Sequence, residues 1–285
     1  MRNLLKHIGL ALFAMLVVIG CSRRDPASEK ASLIIKGSDT MVNLLSNLAE
    51  HYMKDHPNVS VSVTGGGSGT GIAALLNGTT DICASSRTIN EKERGLAQTK
   101  SIVPVELSIG LDGLAVMVNP KNSISELSLD QIRRIYTGEY TKWTHVGGPS
   151  QDIVVLSRES NSGTYVYFQE HVLNKADFSP KARLMPSTAA IVQSLGEDVG
   201  AIGYGGVAYA ENPSVKILRV KLHADSAGVL PTEATVHSGE YPISRPLFLY
   251  TNGQPTGATK AFIDYCLSPA GQAIVVETGY MAVKK

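Results

Sequence analysis

The stretch Arg158-Glu159-Ser160-Asn161-Ser162-Gly163-Thr164-Tyr165 follows the apolar run Ile153-Val154-Val155-Leu156 and leads into Tyr165-Val166-Tyr167-Phe168-Gln169-Glu170-His171-Val172-Leu173. That order reads as strand, tight polar turn, helix. A helix opening at such a turn leaves its first amides without intrahelical partners, and they point into the volume that the Ser162 and Thr164 hydroxyls reach. Arg158, at the strand end, adds a fixed positive charge and a planar fork of donors suited to an oxyanion. Ser, Asn, Gly and Thr are also the ordinary residues of turns and caps, so taken alone the stretch fits a plain N-cap at least as well.

Repetition favours the anion. Leu33-Ile34-Ile35-Lys36 runs into Gly37-Ser38-Asp39-Thr40 and a helical pattern. Val59-Ser60-Val61-Ser62-Val63 runs into Gly65-Gly66-Gly67-Ser68-Gly69-Thr70-Gly71 and another helix. Three strand-to-helix turns of one chemical type suggest one shared site.

The N-terminus stands apart from the fold. Arg2 and Lys6 precede the apolar stretch Ile8 to Ile19, which is shorter than the roughly 20 residues of a membrane span and ends at Val18-Ile19-Gly20-Cys21. Residues 1–20 are therefore expected to be an export signal, with cleavage before a lipidated Cys21; an ordinary signal peptide with a coincidental cysteine is the alternative. Residues 21–31, without an apolar period, are expected to be a flexible tether. The rest is apolar-rich and sparsely charged, 18% of the chain being charged, with a net charge of +1. It is long enough for one large or two small domains with real cores. No basic block interleaved with aromatics occurs, which argues against nucleic acid. Cys83 and Cys266 are either a disulfide or two buried thiols. The seven histidines lie at no zinc spacing.

Apolar residues from Met41 to Met53 recur at helical spacing and stop at His56-Pro57. Asp81-Ile82-Cys83-Ala84 reads as a third strand ending in Ser85-Ser86-Arg87, and Asn90 with Glu93 reads as a reciprocal helix cap. Val103 to Leu107 and Leu114 to Val118 read as two strands, Leu127 to Tyr136 as a helix, and Val199 to Tyr204 as a strand closed by a Gly205-Gly206 turn. Pro242 to Tyr250 is expected to be extended, followed by helices over Ala258 to Cys266 and Ala270 to Glu277. Strands alternating with helices at these lengths predict an α/β layered sheet.

The ordered set Gly37-Ser38-Asp39-Thr40, Gly67-Ser68-Gly69-Thr70-Gly71, Asp81 to Arg87 and Arg158-x-x-x-Ser162-Gly163-Thr164 resembles the phosphate-binding lipoproteins of bacterial phosphate ABC transporters. The similarity runs from about Leu33 to the C-terminus and includes Ile135-Tyr136-x-Gly138, Trp143 and Tyr241-Pro242-Ile243-Ser244-Arg245-Pro246. It implies a two-lobed periplasmic-binding-protein fold, each lobe a mixed sheet flanked by helices, with the ligand in the cleft. Lobe one would comprise residues 32–112 and 241–285, and lobe two residues 113–240. The resemblance carries phosphate contacts onto Arg158, Ser162, Gly163, Thr164 and Ser68, with Ser38, Asp39 and Thr40 in the first turn and Ser86 and Arg87 after the third strand. It departs from the family pattern at two points. Asp39 stands where well-known members have Thr, and Ser86 where they have the Asp that accepts a phosphate proton.

Phosphate keeps a proton at neutral pH and sulfate does not, so an acceptor in a dry site separates them. Asp39 is one candidate for that acceptor, and helix capping is its other reading. For Arg87 a surface salt bridge before the Asn90 helix competes with an anion contact. Tyr136, Trp143, Tyr165 and Tyr167 are expected to pack.

The expected protein is a non-catalytic, monomeric, lipid-anchored binding protein that delivers phosphate to a membrane permease without a cofactor. The same fold binding sulfate or molybdate, or acting as a sensor, is one alternative. An exported hydrolase is another, against which stand the absence of a Gly-x-Ser-x-Gly elbow with credible partners and of a P-loop ending.

Overall fold

A computed structural model of the chain describes residues 30–283. The expected leader, with Cys21, lies outside the described residues. In β1 (Ala31–Gly37), Leu33 and Ile35 alternate with outward residues and are buried. The helix α1 (Val42–Asp55) puts Leu44, Leu45, Leu48 and Tyr52 against the sheet and ends at His56, where Pro57 disfavours a further helical residue. There follow β2 (Val59–Thr64), α2 (Ser68–Leu76), β3 (Ile82–Ser85) and α3 (Glu91–Thr99), the last opened by the expected Asn90/Glu93 capping box. Residue 71 must be small for α2 to lie on β1: a methyl there would fall 2.5 Å from Gly37 Cα and 2.6 Å from the Lys36 carbonyl oxygen. That close approach sets where Ser68 sits.

Next comes β4 (Pro104–Val118), a single strand. Residues 104–113 pair antiparallel with β11 (Ser244–Asn252), and residues 114–118 with β8 (Ala201–Gly206). The two strands expected here are therefore one, because the Gly110 to Gly113 interval that interrupts the apolar pattern is kept extended by the strand opposite. Beyond it come β5 (Glu126–Ser128), α4 (Leu129–Thr137), β6 (Val154–Arg158), α5 (Gly163–His171), β7 (Arg183–Met185), α6 (Thr188–Glu197), β8 (Ala201–Gly206), β9 (Lys216–Ile217), β10 (Arg219–Lys221) and α7 (Glu233–Ser238). The chain closes with β11 (Ser244–Asn252), α8 (Gly257–Leu267) and α9 (Pro269–Glu277). Gly205 and Gly206, expected to form a turn, are the last residues of β8 and pair with Ala115 and Leu114. Their smallness serves packing: a methyl on Gly206 would lie 3.0 Å from Thr40 Cγ2 and 3.1 Å from Asp112 Oδ1.

The main sheet runs β2-β1-β3-β11-β4-β8-β6-β7, with β9 also on β4. β1, β2 and β3 are parallel, as are β8, β6 and β7, and the antiparallel strands β11 and β4 lie between the two groups. Each parallel group has its own core. One gathers Ile35, Leu44, Leu48, Leu249, Phe262 and Val275. The other gathers Tyr136, Trp143, Phe168 and Tyr204, where the Phe168 and Tyr204 rings stack 4.0 Å apart and Trp143 Nε1 donates to the Gly200 carbonyl at 3.0 Å. Tyr136 and Trp143 are thus core residues, as expected. Cys83 and Cys266 are free thiols buried in different clusters. Burial pushes the Cys83 thiol up to about 12.

Phe168 anchors α5, whose first turn carries Ser162 and Thr164. Phe168→Ala is expected to lower unfolding free energy by about 3–5 kcal/mol, read from the denaturant midpoint by circular dichroism. A loss under about 1 kcal/mol would contradict this packing role.

Candidate functional site

The turns that follow β1, β2, β3 and β6 all leave the C-terminal ends of parallel strands, where open α/β sheets bind ligands. After β1, the Ser38 amide donates to the Ala84 carbonyl at 2.8 Å, and residues 39–41 make one 3-10 turn before α1. Ser38 Oγ is buried without a hydrogen-bond partner. Thr40 Oγ1 lies 2.9 Å from Thr164 Oγ1, so the first turn meets the α5 turn directly. The hydroxyls of Tyr209 and Tyr280 donate to the carbonyls of Asp39 and Thr40 at 3.0 and 2.6 Å. Burial pushes the Tyr209 hydroxyl up to about 12, which keeps it a donor.

After β2, Ser68 opens α2; its Oγ accepts the Ser86 amide at 3.0 Å and lies 3.4 Å from Ser86 Oγ. The α5 turn closes onto these serines. The Gly69 amide donates to the Asn161 carbonyl at 3.0 Å, and Asn161 Nδ2 donates to the Gly66 carbonyl at 2.9 Å. Ser162 Oγ accepts from the Thr164 and Tyr165 amides, so the capping role read for it is real, yet a hydroxyl that accepts there keeps its own proton to donate. Ser38, Thr40, Ser68, Ser86, Ser162, Gly163 and Thr164 are thus brought together from distant parts of the chain.

The charged residues are placed less simply. Arg158, 1% exposed, donates from Nη1 to Asp39 Oδ2 at 3.0 Å and to Thr188 Oγ1 at 3.0 Å, from Nη2 to the Pro186 carbonyl at 3.0 Å, and from Nε to the Met185 carbonyl at 3.3 Å. Asp39 Oδ2 also accepts the Thr188 amide at the start of α6, at 3.1 Å. Asp39 therefore does not cap its own helix; it crosses to β6 and α6. Arg87 puts both terminal nitrogens on the Glu93 carboxylate at 2.8 and 2.7 Å, and among the described residues no hydrogen bond joins its guanidinium to the serine cluster. Desolvation pushes the Glu93 carboxyl up, but the bonds from Arg87 and the Asn90 amide hold it below the usual range. The salt bridge expected of Arg87 is present, but it is buried rather than at the surface.

Two site neighbours were not singled out from the sequence. Arg245 of β11 and Asp112 of β4 are opposite each other in register, both buried, with Arg245 Nη2 2.9 Å from Asp112 Oδ2 and 3.0 Å from Thr164 Oγ1. Asp112 Oδ1 accepts the Val207 amide at 3.1 Å. Burial pushes the Asp112 carboxyl up against the pull of Arg245. The Arg245 signal was present in the Tyr241 to Pro246 motif; nothing local marked Asp112 as its partner.

Two α/β lobes on a shared sheet, with polar turns of both converging between them, define the class of two-lobed solute-binding proteins that close on a small ligand. Residues 24–270 match the family model described as a PBP superfamily domain. The chain is 35% identical over 254 residues to the phosphate-binding protein PstS of Staphylococcus haemolyticus, covering 87% of this chain and 79% of that one. It is 32% identical over 278 residues to PstS of Pseudomonas aeruginosa, covering 90% and 86%. Its structure superposes with a TM-score of 0.82 on a Clostridium perfringens protein described as a phosphate ABC transporter substrate-binding protein with bound phosphate, at 32% identity over 89% of this chain and 100% of that one. The chain belongs to the PstS family of phosphate-binding proteins. Among the described residues, no helix is long and apolar enough to cross a membrane, and no group of three His, Cys, Asp or Glu could hold a metal ion.

At Gly163 the two walls approach closely. A methyl there would fall on Ser68 Oγ and 2.7 Å from Ser86 Oγ. Gly163→Ala is expected to part the walls, so that the Gly69 amide exchanges roughly ten times faster in hydrogen exchange while β8 amides keep their protection. Unchanged exchange at Gly69 would show that the turns are not in contact in solution.

Proposed function

We propose that this chain captures inorganic phosphate between its lobes and delivers it to the permease of an ABC transporter. The convergence of hydroxyls and helix N-termini from both lobes, around a buried Ser38 Oγ that lacks a partner, carries the reading. Family membership and the phosphate-bound relative support it. In this proposal the hydroxyls of Ser38, Thr40, Ser68, Ser86, Ser162 and Thr164 and the amides around Gly163 surround the oxyanion. Arg158 and Arg87 supply positive charge from buried positions beside the oxyanion, the first held by Asp39 and the second by Glu93.

Lobe one is residues 32–112 with 241–285, and lobe two is residues 113–240. The β4 strand, which changes partners between Gly113 and Leu114, supports that division. Closure of the lobes on phosphate makes the form that the permease recognises. The protein works as a monomer and without turnover, the second point supported by its similarity to relatives described as phosphate-binding proteins. Export, cleavage before Cys21 and lipid on that cysteine complete the proposal.

Asp39 has a second part here. Its Oδ2 is taken by Arg158 and Thr188, whereas among the described residues no hydrogen bond reaches Oδ1. That free oxygen suits the phosphate proton, in place of the carboxylate that Ser86 replaces. Calorimetric titration of the purified chain with phosphate, sulfate and molybdate tests the function: saturable phosphate binding well above sulfate is expected, and its absence overturns the proposal. Asp39→Asn is expected to cut the phosphate-to-sulfate preference roughly tenfold or more; an unchanged ratio removes Asp39 from the role of acceptor. Cys21→Ser is expected to move the protein from the membrane to the soluble fraction of cells, and continued sedimentation with membranes would rule out the lipid anchor.

A further inference from the structure

Three arginines border the candidate site, and each faces a carboxylate: Arg158 faces Asp39, Arg87 faces Glu93 and Arg245 faces Asp112. Their remaining donors differ. Arg158 spends Nε and both terminal nitrogens on Asp39, Thr188 and two carbonyls. Arg87 spends both terminal nitrogens on Glu93; its Nε, with one proton, is also buried without a partner, but among the described residues no hydrogen bond joins that guanidinium to the serine cluster. Arg245 is held at Nε and Nη2 by Asp112 Oδ2, at 3.1 and 2.9 Å, yet its Nη1 is buried with no hydrogen-bond partner. A desolvated guanidinium nitrogen with two protons and no acceptor is unfavourable, and an anion removes the deficit.

The surroundings of that nitrogen point the same way. Nη2 of the same guanidinium donates to Thr164 Oγ1 at 3.0 Å, and Thr164 in turn lies 2.9 Å from Thr40 Oγ1. These two hydroxyls belong to the α5 turn and the β1 turn, so Arg245 reaches both walls of the cleft from behind. The Tyr167 ring lies 5.4 Å from the guanidinium carbon, and the Tyr167 hydroxyl is tied to the Ser244 carbonyl at 2.6 Å, which fixes the stack to the start of β11. Asp112, fully buried, is opposite Arg245 in strand register. The guanidinium is therefore oriented by the sheet itself rather than by a mobile loop.

We propose that Arg245 Nη1 is a direct donor to the bound tetrahedral oxyanion, with Asp112 as the residue that positions it. The inference rests on the phosphate reading above and adds to it a contact from the strands between the lobes. Such a donor stays in place while the walls part and close, so it offers the anion a first foothold in the open cleft.

The test is calorimetric titration of the full chain with inorganic phosphate, comparing wild type, Arg245→Lys, and the double variant Arg245→Met with Asp112→Leu. The double variant removes both buried charges together and avoids stranding one of them. Thermal melting and protection of the Gly69 amide report whether fold and closed turns survive. The expected result is a phosphate affinity weaker by roughly 10- to 100-fold in both variants, with cooperative melting and the Gly69 protection retained. A double variant that melts cooperatively and binds phosphate within about twofold of wild type overturns the assignment of Arg245 and leaves the functional proposal standing. Should the double variant fail to fold, the same undiminished binding by Arg245→Lys overturns it. Failure of the wild type itself to bind phosphate sinks both.

Discussion

A carboxylate and a guanidinium buried opposite each other on antiparallel strands, Asp112 on β4 and Arg245 on β11, set a constraint that the rest of the structure obeys. Neither charge tolerates so dry a place alone, because removing one partner leaves the other uncompensated. The pair therefore requires β4 and β11 to stay in register where the chain passes from one parallel group of strands to the other. Val207, the residue after β8, is tied to the same carboxylate, and Thr164 at the start of α5 to the same guanidinium. Gly206 leaves room for that carboxylate beside Thr40. One ion pair thus fixes the relative placement of strands from both cores at the base of the candidate site.

Around the site the formal charges cancel. Asp39, Glu93 and Asp112 each neutralise one arginine, so attraction for an anion has to come from oriented donors more than from net positive charge. Those donors are present as hydroxyls and as the first amides of α2 and α5 that Asn161 and Ser162 do not take, and the helix dipoles put partial positive charge at the turns. A site of this kind binds by fitting donors to acceptors in a fixed geometry. A wrongly placed proton or an unpaired group is then more damaging than a change in overall charge.

The strand-turn-helix units were legible because their rules are local. Alternating valines, a glycine run, a serine before an apolar helix and an Asn90/Glu93 box each specify structure within a few residues. The convergence of the turns was legible only through their chemical similarity and the family resemblance. What escaped was long-range pairing. Asp39 looked like a cap because nothing near it in sequence announces Arg158, 119 positions away. Asp112 and Arg245 are separated by 133 positions. The continuity of β4 through Gly110 to Gly113, and the strand conformation of Gly205 and Gly206, depend on neighbours in the sheet that override the turn preference of glycine.

Many of the bonds between the walls join protein to protein: Gly69 to Asn161, Asn161 to Gly66, Thr40 to Thr164 and Arg158 to Asp39. Closure therefore has a driving force of its own, and a ligand shifts the balance only by the free energy with which it prefers the closed form. The more of the closed form's stability the direct bonds supply, the smaller the contrast between empty and loaded protein. A carrier needs that contrast to be large if the loaded form alone is to be recognised. Of the buried donors left unpaired among the described residues, Ser38 Oγ and Arg245 Nη1 belong to these turns and their support, and they work against empty closure because they are desolvated without acceptors. An anion that satisfies them converts that penalty into binding. The same buried groups that make the unliganded closed form unfavourable are then the ones that make the liganded form distinct.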